Sequence, residues 1–309
     1  MRFDHARDVK YPIRHAVRIH VRGERRTPDR RAASRGCGEP SEAQLAQTEN
    51  LRLLQLTWAG ADKYTRMENL PQSVVLANAS GAFGTIIAEY AIGSLVALYR
   101  SFGRYWSNKQ AHIWQKYDHA ETISGKTALV LGMGDIGANV ARRLKVFGAA
   151  VLGVKRTAVS AVPADFDEAH TLDALDALLP RADIVIGCLP NTRETAGLLT
   201  AKRLHAMKAG AVLVNVGRGS LAGTDDLVSA LQDGHLGGAA LDVFETEPLP
   251  ADCPLWDMEN VLLTPHIAGP SFGGSADVQN TIWHICMDNL ERYLTGNPLK
   301  NVVNRSEGY

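Results

Sequence analysis

Three strongly polar residues each follow a short apolar run in the second half of the chain. The residues are Arg218, Glu247 and His266, and the runs before them are 211–216, 238–243 and 261–264. Continuous apolar runs of this length are typical of strands buried on both faces of a parallel sheet. Ligands bind beyond the carboxyl ends of such strands. The sequence therefore predicts an arginine, a carboxylate and a histidine at one sheet edge, a set able to bind an anion and transfer a proton.

A glycine-rich turn lies earlier in the chain, where the apolar run Thr127–Leu131 meets a helical pattern. The turn has the spacing GxGxxG and consists of Gly132, Met133, Gly134, Asp135, Ile136 and Gly137. Its first glycine permits the tight turn, the second lets the backbone approach a pyrophosphate, and the third lets the helix pack closely on the strand. The helix N-terminus presents unpaired N–H groups and a positive dipole end, so the turn predicts a dinucleotide phosphate site.

The end of the next apolar run bears on which dinucleotide binds. NAD sites place Asp or Glu there, about 20 residues after the glycine turn, to bind the ribose 2′-hydroxyl. This chain has Lys155, Arg156 and Thr157 instead. Lysine and arginine pair with a 2′-phosphate, so the sequence favours NADP. The alternative is that these cations belong to an ordinary exposed loop, and NAD then stays open as the cofactor.

The elements that must position these residues alternate along the chain. The predicted strands are Thr127–Leu131, Ala150–Val154, Asp183–Cys188, Ala211–Val216, Gly238–Val243 and Val261–Thr264. The predicted helices between them are Ile136–Phe147, Leu172–Leu179, Ala201–Met207 and Asp225–Gln232, with Thr200 and Thr224 as N-caps of the last two. Outside this region we expect strands Leu51–Thr57 and Ser73–Ala77, with helices Gly84–Arg100 and Ala276–Leu294. The alternation indicates an α/β protein with a doubly wound parallel sheet.

Four segments in this order resemble the D-isomer-specific 2-hydroxyacid dehydrogenases, in particular their glyoxylate/hydroxypyruvate reductase-like branch. They are GMGDIG at 132–137, VNVGRGSL at 214–221, GAALDVFETEPLP at 238–250 and TPHIAG at 264–269, within a resemblance that covers roughly residues 50–305. The resemblance implies a Rossmann dinucleotide-binding domain over residues 84–282. It also implies a smaller flavodoxin-like α/β substrate domain from residues 1–83 and 283–309. That domain looks incomplete at its N-terminus, because no strand or helix of the family can be recognised before Leu51.

The resemblance also implies a role for each polar residue. Arg218 would hold the substrate carboxylate, and His266 would donate a proton to the carbonyl oxygen as hydride arrives from the nicotinamide. Glu247 would hydrogen-bond His266 and fix its tautomer. Asp242 would contact the nicotinamide carboxamide. The family's formate-oxidising branch has Gln at the position of Glu247, so this glutamate favours a hydroxy acid over formate.

Further residues follow from the same resemblance. Pro190, Val216, Gly269 and His266 would line the cofactor, and Ala59 and Gly60 would offer backbone N–H groups to the substrate carboxylate. The helical region after residue 84 commonly forms a dimer arm in the family, so we expect a homodimer. We expect no metal.

Composition limits the remaining function classes. The chain has 309 residues, 45% of them hydrophobic and 21% charged, which is typical of a globular protein. Lys and Arg together number 33, as do Asp and Glu, so no overall charge attracts nucleic acid. The longest near-apolar stretch, Ile86–Tyr99, is shorter than the roughly 20 residues of a membrane span. Four widely spaced cysteines without a CxxC motif predict reduced thiols and a cytoplasmic location.

The first forty residues differ from the rest, with ten Arg and one Lys against five acidic residues. Residues 1–45 are therefore atypical and are open to three interpretations: a solvated tail, a nucleic-acid tail, or residues that arise from a misassigned start. A short strand over Ala16–Val21 is the one element that we expect there. Two functional alternatives also stay open. One is a D-lactate-type dehydrogenase that uses NAD, and the other is a catalytically weak protein that senses NAD(P) by binding it.

Overall fold

The computed structural model describes residues 17–18, 34–48, 50–118, 120–270 and 274–309. It divides the chain into two compact units. Unit 1 contains Met1–Ala82 and Pro270–Tyr309, and unit 2 contains Phe83–Gly269.

Unit 1 is built on a four-stranded sheet. Its strands are β1 (Val17–Arg18), β2 (Ser34–Cys37), β3 (Leu51–Gln55) and β4 (Val75–Ala77), which lie side by side in that order. Strands β2, β3 and β4 run parallel, and β1 pairs antiparallel with β2. The helices are α1 (Glu42–Ala46), α2 (Asp62–Thr65) and α9 (Ala276–Thr295). Buried Leu54, Leu56, Tyr64 and Leu76 form the centre of its hydrophobic core.

Two elements that the sequence analysis did not recognise, β2 and α1, lie before Leu51. The sequence did contain a signal for α1. Ser41 and Gln44 form a capping box, in which each side chain bonds the other residue's backbone N–H, and Leu45 behind it is buried. Of the predicted strand Ala16–Val21, the pair Val17–Arg18 is a strand, and the other four residues lie outside the described part of the chain.

Unit 2 contains a sheet of seven parallel strands. They are β5 (Thr127–Leu131), β6 (Ala150–Lys155), β7 (Glu168–Thr171), β8 (Ile184–Gly187), β9 (Ala211–Asn215), β10 (Leu236–Leu241) and β11 (Val261–Leu263). The spatial order is β11-β10-β9-β8-β5-β6-β7, with every pair parallel. The chain thus starts in the middle of the sheet and winds outward in both directions. This arrangement confirms the predicted doubly wound fold.

The helices of unit 2 are α3 (Gly84–Tyr99), α4 (Phe102–Gln110), α5 (Asp135–Val146), α6 (Leu175–Leu178), α7 (Ala201–Ala206) and α8 (Thr224–Gln232). Leu129, Leu152, Leu175 and Leu213 belong to a core cluster of side chains that are almost completely inaccessible. Because β8 and β9 are buried along their whole length, the central strands read as continuous apolar runs in the sequence.

Several details of unit 2 differ from what the sequence predicted. Strand β7 was not predicted, because it lies at the sheet edge and its residues, Glu-Ala-His-Thr, show no apolar run. Helix α4 was also missed, since Asn108 is its one buried residue. The predicted helix Leu172–Leu179 is a short α-helix between two 3-10 turns. Thr200 caps α7 as expected, whereas Gly223 precedes α8 and Thr224 is its first residue.

The second domain boundary falls after Gly269 instead of after residue 282. The physical reason is α9, which is one continuous helix over Ala276–Thr295 and cannot be divided without breaking its hydrogen bonds. Its buried Cys286 makes a side-chain hydrogen bond with Cys37 of β2. Its buried Asn289 donates a hydrogen bond to the side-chain oxygen of Gln55 in β3. The two cysteines, far apart in sequence, are therefore neighbours in space, and both are free thiols.

Candidate active site

The parallel sheet of unit 2 brings the predicted site residues to one edge. Arg218 follows β9, Asp242 and Glu247 follow β10, and His266 follows β11. These three strands are neighbours in the order β11-β10-β9. Because neighbouring parallel strands end on the same side, the loops that carry the four residues leave the sheet at the same edge.

The structure joins two of these residues directly. The Nδ1 atom of His266 lies 2.9 Å from Oε2 of Glu247. The other oxygen of Glu247, Oε1, accepts a hydrogen bond of 3.0 Å from the backbone N–H of Phe244, so the carboxylate is held in place. When Nδ1–H donates this hydrogen bond to Glu247, Nε2 of the ring is left for proton exchange with a substrate. The His266 side chain is 53% exposed, so a substrate can reach it.

A close backbone contact joins the loop of Arg218 to the loop of Glu247. A Cβ on Gly219 would lie 1.8 Å from the carbonyl carbon of Phe244, a distance that no side chain could tolerate. Glycine at this position therefore lets the two loops touch. Asn215, the last residue of β9, stabilises the turn that follows it. Its side chain donates a hydrogen bond to the Arg218 carbonyl and accepts one from the Gly217 N–H. The Arg218 guanidinium itself donates to the Gly217 carbonyl at 2.8 Å.

Asp242 fastens the segment that carries His266. Its Oδ1 accepts from the Thr264 hydroxyl at 2.6 Å and from the Ile267 N–H at 2.8 Å, and its Oδ2 accepts from the Ala268 N–H at 2.9 Å. The Asp242 backbone carbonyl also accepts from the His266 N–H at 2.8 Å. His266 has a positive φ of 55°, a backbone conformation that residues other than glycine adopt uncommonly. The four hydrogen bonds hold this conformation.

Tyr90 on α3 extends this network. Its hydroxyl lies 2.6 Å from the Thr264 hydroxyl, and burial raises the pKa of Tyr90, so the phenol stays protonated. The sequence analysis did not assign roles to Tyr90, Thr264 or Asn215. Thr264 and Asn215 lie inside the motifs that carry the resemblance, which is the signal that could have identified them. Tyr90 offers no such signal, because only the packing of α3 brings it to Thr264.

The glycine turn after β5 fits a dinucleotide. Gly132 has a φ of 106°, and a Cβ on Gly137 would lie 1.8 Å from the Gly132 carbonyl oxygen. By contrast, a Cβ on Gly134 would meet no atom of the described residues within 4 Å, so the space beside this residue is open. Gly134 is the N-cap of the 12-residue helix α5, and no side chain caps it. The first N–H groups of α5 are thus available for a pyrophosphate.

The other predicted cofactor residues lie around the same edge. Lys155 ends β6, and Arg156 and Thr157 follow it. Met133 of the turn packs over β6, since a Cβ on Gly153 would lie 2.7 Å from its sulfur. Asp135 and Ile136 begin α5, Pro190 follows β8, and Val216 follows β9. Gly269, the last residue of unit 2, packs against Ile87 of α3.

Ala59 and Gly60 belong to unit 1, in the turn after β3. The turn's carbonyls are occupied, because Trp58 accepts from the Ala79 N–H at 2.9 Å and Ala59 accepts from the Asn78 side chain at 2.8 Å. Within the described ranges, the N–H groups of Ala59 and Gly60 donate to no protein atom. Two adjacent N–H groups in this state can bind a carboxylate.

Comparison with known proteins identifies the family. A sequence model of the "D-isomer specific 2-hydroxyacid dehydrogenase, NAD binding domain" matches residues 92–268. The chain belongs to the D-isomer specific 2-hydroxyacid dehydrogenase family. This 2-hydroxyacid dehydrogenase is therefore an NAD(P)-dependent oxidoreductase that acts on small 2-hydroxy or 2-keto acids. Its cofactor is a nicotinamide dinucleotide.

Three relatives show the extent of the similarity. The glyoxylate reductase of Thermofilum pendens is 31% identical, over 83% of this chain and 76% of its own. The D-3-phosphoglycerate dehydrogenase of Mycobacterium leprae is 32% identical, over 85% of this chain but only 49% of its own length. The NADPH-dependent glyoxylate/hydroxypyruvate reductase of Sinorhizobium meliloti, solved with NADP and sulfate, is 30% identical with a TM-score of 0.76. That match covers 86% of this chain and 82% of the reductase.

The described residues contain no group of three or more His, Cys, Asp or Glu side chains that could hold a metal ion. In the same part of the chain, no helix has the length and apolar character that a membrane crossing requires.

Proposed function

We propose that this dehydrogenase uses NADPH to reduce a small 2-keto acid, such as glyoxylate or hydroxypyruvate, to the corresponding D-2-hydroxy acid. The observation that carries the proposal is the pair of His266 and Glu247 at 2.9 Å, on loops that leave the same sheet edge as the loop of Arg218. An imidazole held in this way, at the sheet edge that also carries an arginine able to bind a carboxylate, is suited to protonate a carbonyl oxygen. The named activities of the Thermofilum and Sinorhizobium relatives support this substrate class.

Each residue would have one task in the reduction. When bound, the reduced nicotinamide supplies a hydride to the carbonyl carbon of the substrate. The guanidinium of Arg218 binds the substrate carboxylate and so orients the carbonyl. As the carbonyl oxygen gains negative charge, Nε2 of protonated His266 donates its proton to it, which yields the hydroxyl group. Glu247 accepts a hydrogen bond from the Nδ1–H group throughout and, as a carboxylate, stabilises the charged ring before the transfer.

The choice of substrate tests the proposal directly. We would follow oxidation of NADPH and of NADH by the loss of the absorbance of reduced nicotinamide. The panel would contain glyoxylate, hydroxypyruvate, pyruvate and bulkier 2-keto acids. Highest kcat/KM for glyoxylate or hydroxypyruvate with NADPH is expected. Highest kcat/KM for pyruvate with NADH would favour a D-lactate-type enzyme. NADPH binding without any turnover would favour a binding protein.

Two substitutions test the assignment of the proton donor. His266→Ala removes the donor and should lower kcat by about 10²–10⁴-fold, the usual contribution of a positioned acid. Glu247→Gln keeps the size of the side chain but removes its charge, so it should lower kcat less than His266→Ala does. Both variants should still bind NADPH, because the glycine turn and Lys155 are untouched. Normal turnover by His266→Ala would exclude this residue from the chemistry.

The preference for NADP is part of the proposal and rests on Lys155 and Arg156. Lys155 is the last residue of β6, the strand next to β5 and its glycine turn, where NAD enzymes have an acidic residue. The double variant Lys155→Asp/Arg156→Ala should raise the KM for NADPH and lower that for NADH. The Sinorhizobium relative, solved with NADP, supports this preference. An unchanged ratio of the two KM values would contradict the assignment.

We also propose that the chain forms a homodimer through the segment 102–114. Its side chains Phe102, Trp106, Ile113 and Trp114 are exposed by 52%, 66%, 51% and 99%. Exposed apolar groups in such density usually mark an interface. Two of them, Ile113 and Trp114, line a groove of about 510 Å³. The Nδ2 atom of Asn108, which also lines that groove, is buried and has no hydrogen-bond partner among the residues described.

Light scattering during gel filtration would test the dimer. The wild type should have twice the mass of the chain, and Trp106→Ser/Trp114→Ser should shift it to the monomer. Trp256→Ser is the matched control, because Trp256 is likewise an exposed tryptophan, at 54%, but lies outside the segment. A monomeric wild type would refute the proposal.

The cytoplasmic location expected from the sequence also stays a proposal, supported by four free thiols.

A further inference from the structure

Glu39 is a polar residue of unit 1 that the sequence analysis did not single out. It follows β2, and Thr57 follows the neighbouring parallel strand β3. In the register of these strands Cys37 pairs with Gln55, so residues two positions further on, Glu39 and Thr57, emerge side by side at the carboxyl edge. The structure thereby brings a carboxylate to the first residue of the turn that contains Ala59 and Gly60.

The contact between Glu39 and Thr57 is unusually complete. Oε1 of Glu39 accepts from the Thr57 N–H at 2.7 Å and from the Thr57 hydroxyl at 2.8 Å, while Oε2 also lies 2.8 Å from that hydroxyl. Thr57 is buried, with 3% of its surface exposed. Within the described ranges no Lys or Arg forms an ion pair with Glu39, and the carboxylate is held by its hydrogen bonds from Thr57.

The other end of the turn is fixed by Asn78. Its side chain donates to the Ala59 carbonyl at 2.8 Å, and its own carbonyl accepts from buried Gln55 at 3.0 Å. Glu39 and Asn78 thus hold the turn on both sides. Between them lie the N–H groups of Ala59 and Gly60, for which the described part of the chain supplies no acceptor.

We propose that Glu39 is a positioning residue: its bonds to Thr57 hold the N–H groups of Ala59 and Gly60 in the geometry that binds the carboxylate of the 2-keto acid. This inference rests on the proposed function. The charge of Glu39 itself opposes a second carboxylate. Glu39 must therefore act by geometry, and its effect should depend on its acceptor atoms and not on its charge.

This distinction gives two variants with different outcomes. Glu39→Ala removes both acceptors and frees the turn. Misplaced binding groups cost up to about 10²-fold, so we expect the KM for glyoxylate to rise at least about tenfold. Glu39→Gln keeps one acceptor for the Thr57 N–H and removes the opposing charge, so it should restore the KM to within about threefold of the wild type. In both variants kcat and the KM for NADPH should change little, because the binding lost is equal in ground and transition states.

Thr57→Val and Glu68→Ala complete the kinetic test. Thr57→Val removes the hydroxyl but keeps the N–H, so its KM should lie between those of the wild type and Glu39→Ala, and the double variant should be no worse than Glu39→Ala alone. Glu68→Ala is the matched control, because Glu68 is an exposed acid of unit 1 that makes no bond to the turn. Its kinetics should equal those of the wild type.

Calorimetric titration of oxamate into the NADP-loaded protein measures carboxylate binding without turnover. A wild type that binds oxamate but reduces no 2-keto acid would contradict the proposed function without contradicting the role of Glu39 in carboxylate binding. An oxamate Kd that rises in Glu39→Ala and recovers in Glu39→Gln would support the role of Glu39. An unchanged KM and Kd in Glu39→Ala would overturn that role. So would a loss of kcat and NADPH affinity together with the rise in KM, since this would indicate general damage to the fold.

Discussion

The two glycines Gly134 and Gly137 should respond to the same substitution in opposite ways. Gly134→Ala adds a Cβ that meets no described protein atom within 4 Å, on a backbone with φ −80° and ψ −163° that alanine adopts freely. Alanine is a poorer N-cap than glycine, which lowers the free energy of unfolding by about 0.5–1 kcal/mol. Alanine also makes the unfolded chain less flexible, which raises the free energy of unfolding by about 0.4–1 kcal/mol. The free energy of unfolding should therefore stay within about 1 kcal/mol of the wild type.

Gly137→Ala should instead damage the fold. Its Cβ would lie 1.8 Å from the Gly132 carbonyl oxygen, so α5 and the turn would have to separate by more than an ångström. Forced packing of this kind costs about 1–3 kcal/mol or more. For a unit of this size, each kcal/mol lowers the Tm by about 2–4 °C. The Tm of Gly137→Ala should fall by several degrees, whereas that of Gly134→Ala should barely change.

Dinucleotide binding is the second measurement. The new methyl group of Gly134→Ala would occupy the open space at the N-terminus of α5, where the pyrophosphate is expected. An overpacking cost of about 1–3 kcal/mol corresponds to a rise in the NADPH Kd of roughly 5- to 140-fold. Scanning calorimetry without cofactor and titration with NADPH give the two quantities separately. A Gly134→Ala variant that loses as much stability as Gly137→Ala, or that binds NADPH like the wild type, would refute this reasoning.

Two further predictions concern Asp242 and Glu168. Asp242→Asn replaces one carboxylate oxygen by an NH₂ group, which leaves a buried donor such as the Ala268 N–H unpaired at a cost of about 1–3 kcal/mol. Both the Tm and kcat should fall because the His266 segment loses its anchor; a wild-type Tm would contradict the network. Hydrogen bonds from Arg181 and His170 lower the pKa of Glu168 from 4.5 to about 2. The stabilisation that these bonds give is therefore fully present above pH 4.5 and is lost as the pH falls towards 2. The difference in unfolding free energy between wild type and Glu168→Gln should shrink over this pH range, and a pH-independent difference in chemical denaturation would rule out the ion pair as its cause.

The central fold could be predicted because its signals are local. Strands β8 and β9 are buried on both faces, so each reads as an apolar run, and the glycine turn has a fixed spacing set by backbone geometry. The elements that escaped prediction lack such signals. Strand β7 is a polar edge strand, and α4 exposes aromatic residues with one buried side chain, Asn108. Burial, which creates the periodic pattern, is incomplete in both.

The sequence by itself determined which residue types follow each strand: the glycine turn after β5, Arg218 after β9 and His266 after β11. Only the tertiary structure decided how these residues are held. The contact of Gly219 with Phe244, the three bonds of Asp242 to the His266 segment, and the bonds of Glu39 to Thr57 join residues that are 18 to 26 positions apart. Spacing along one strand or helix cannot encode such contacts, because they depend on which strands are neighbours and in what register they pair.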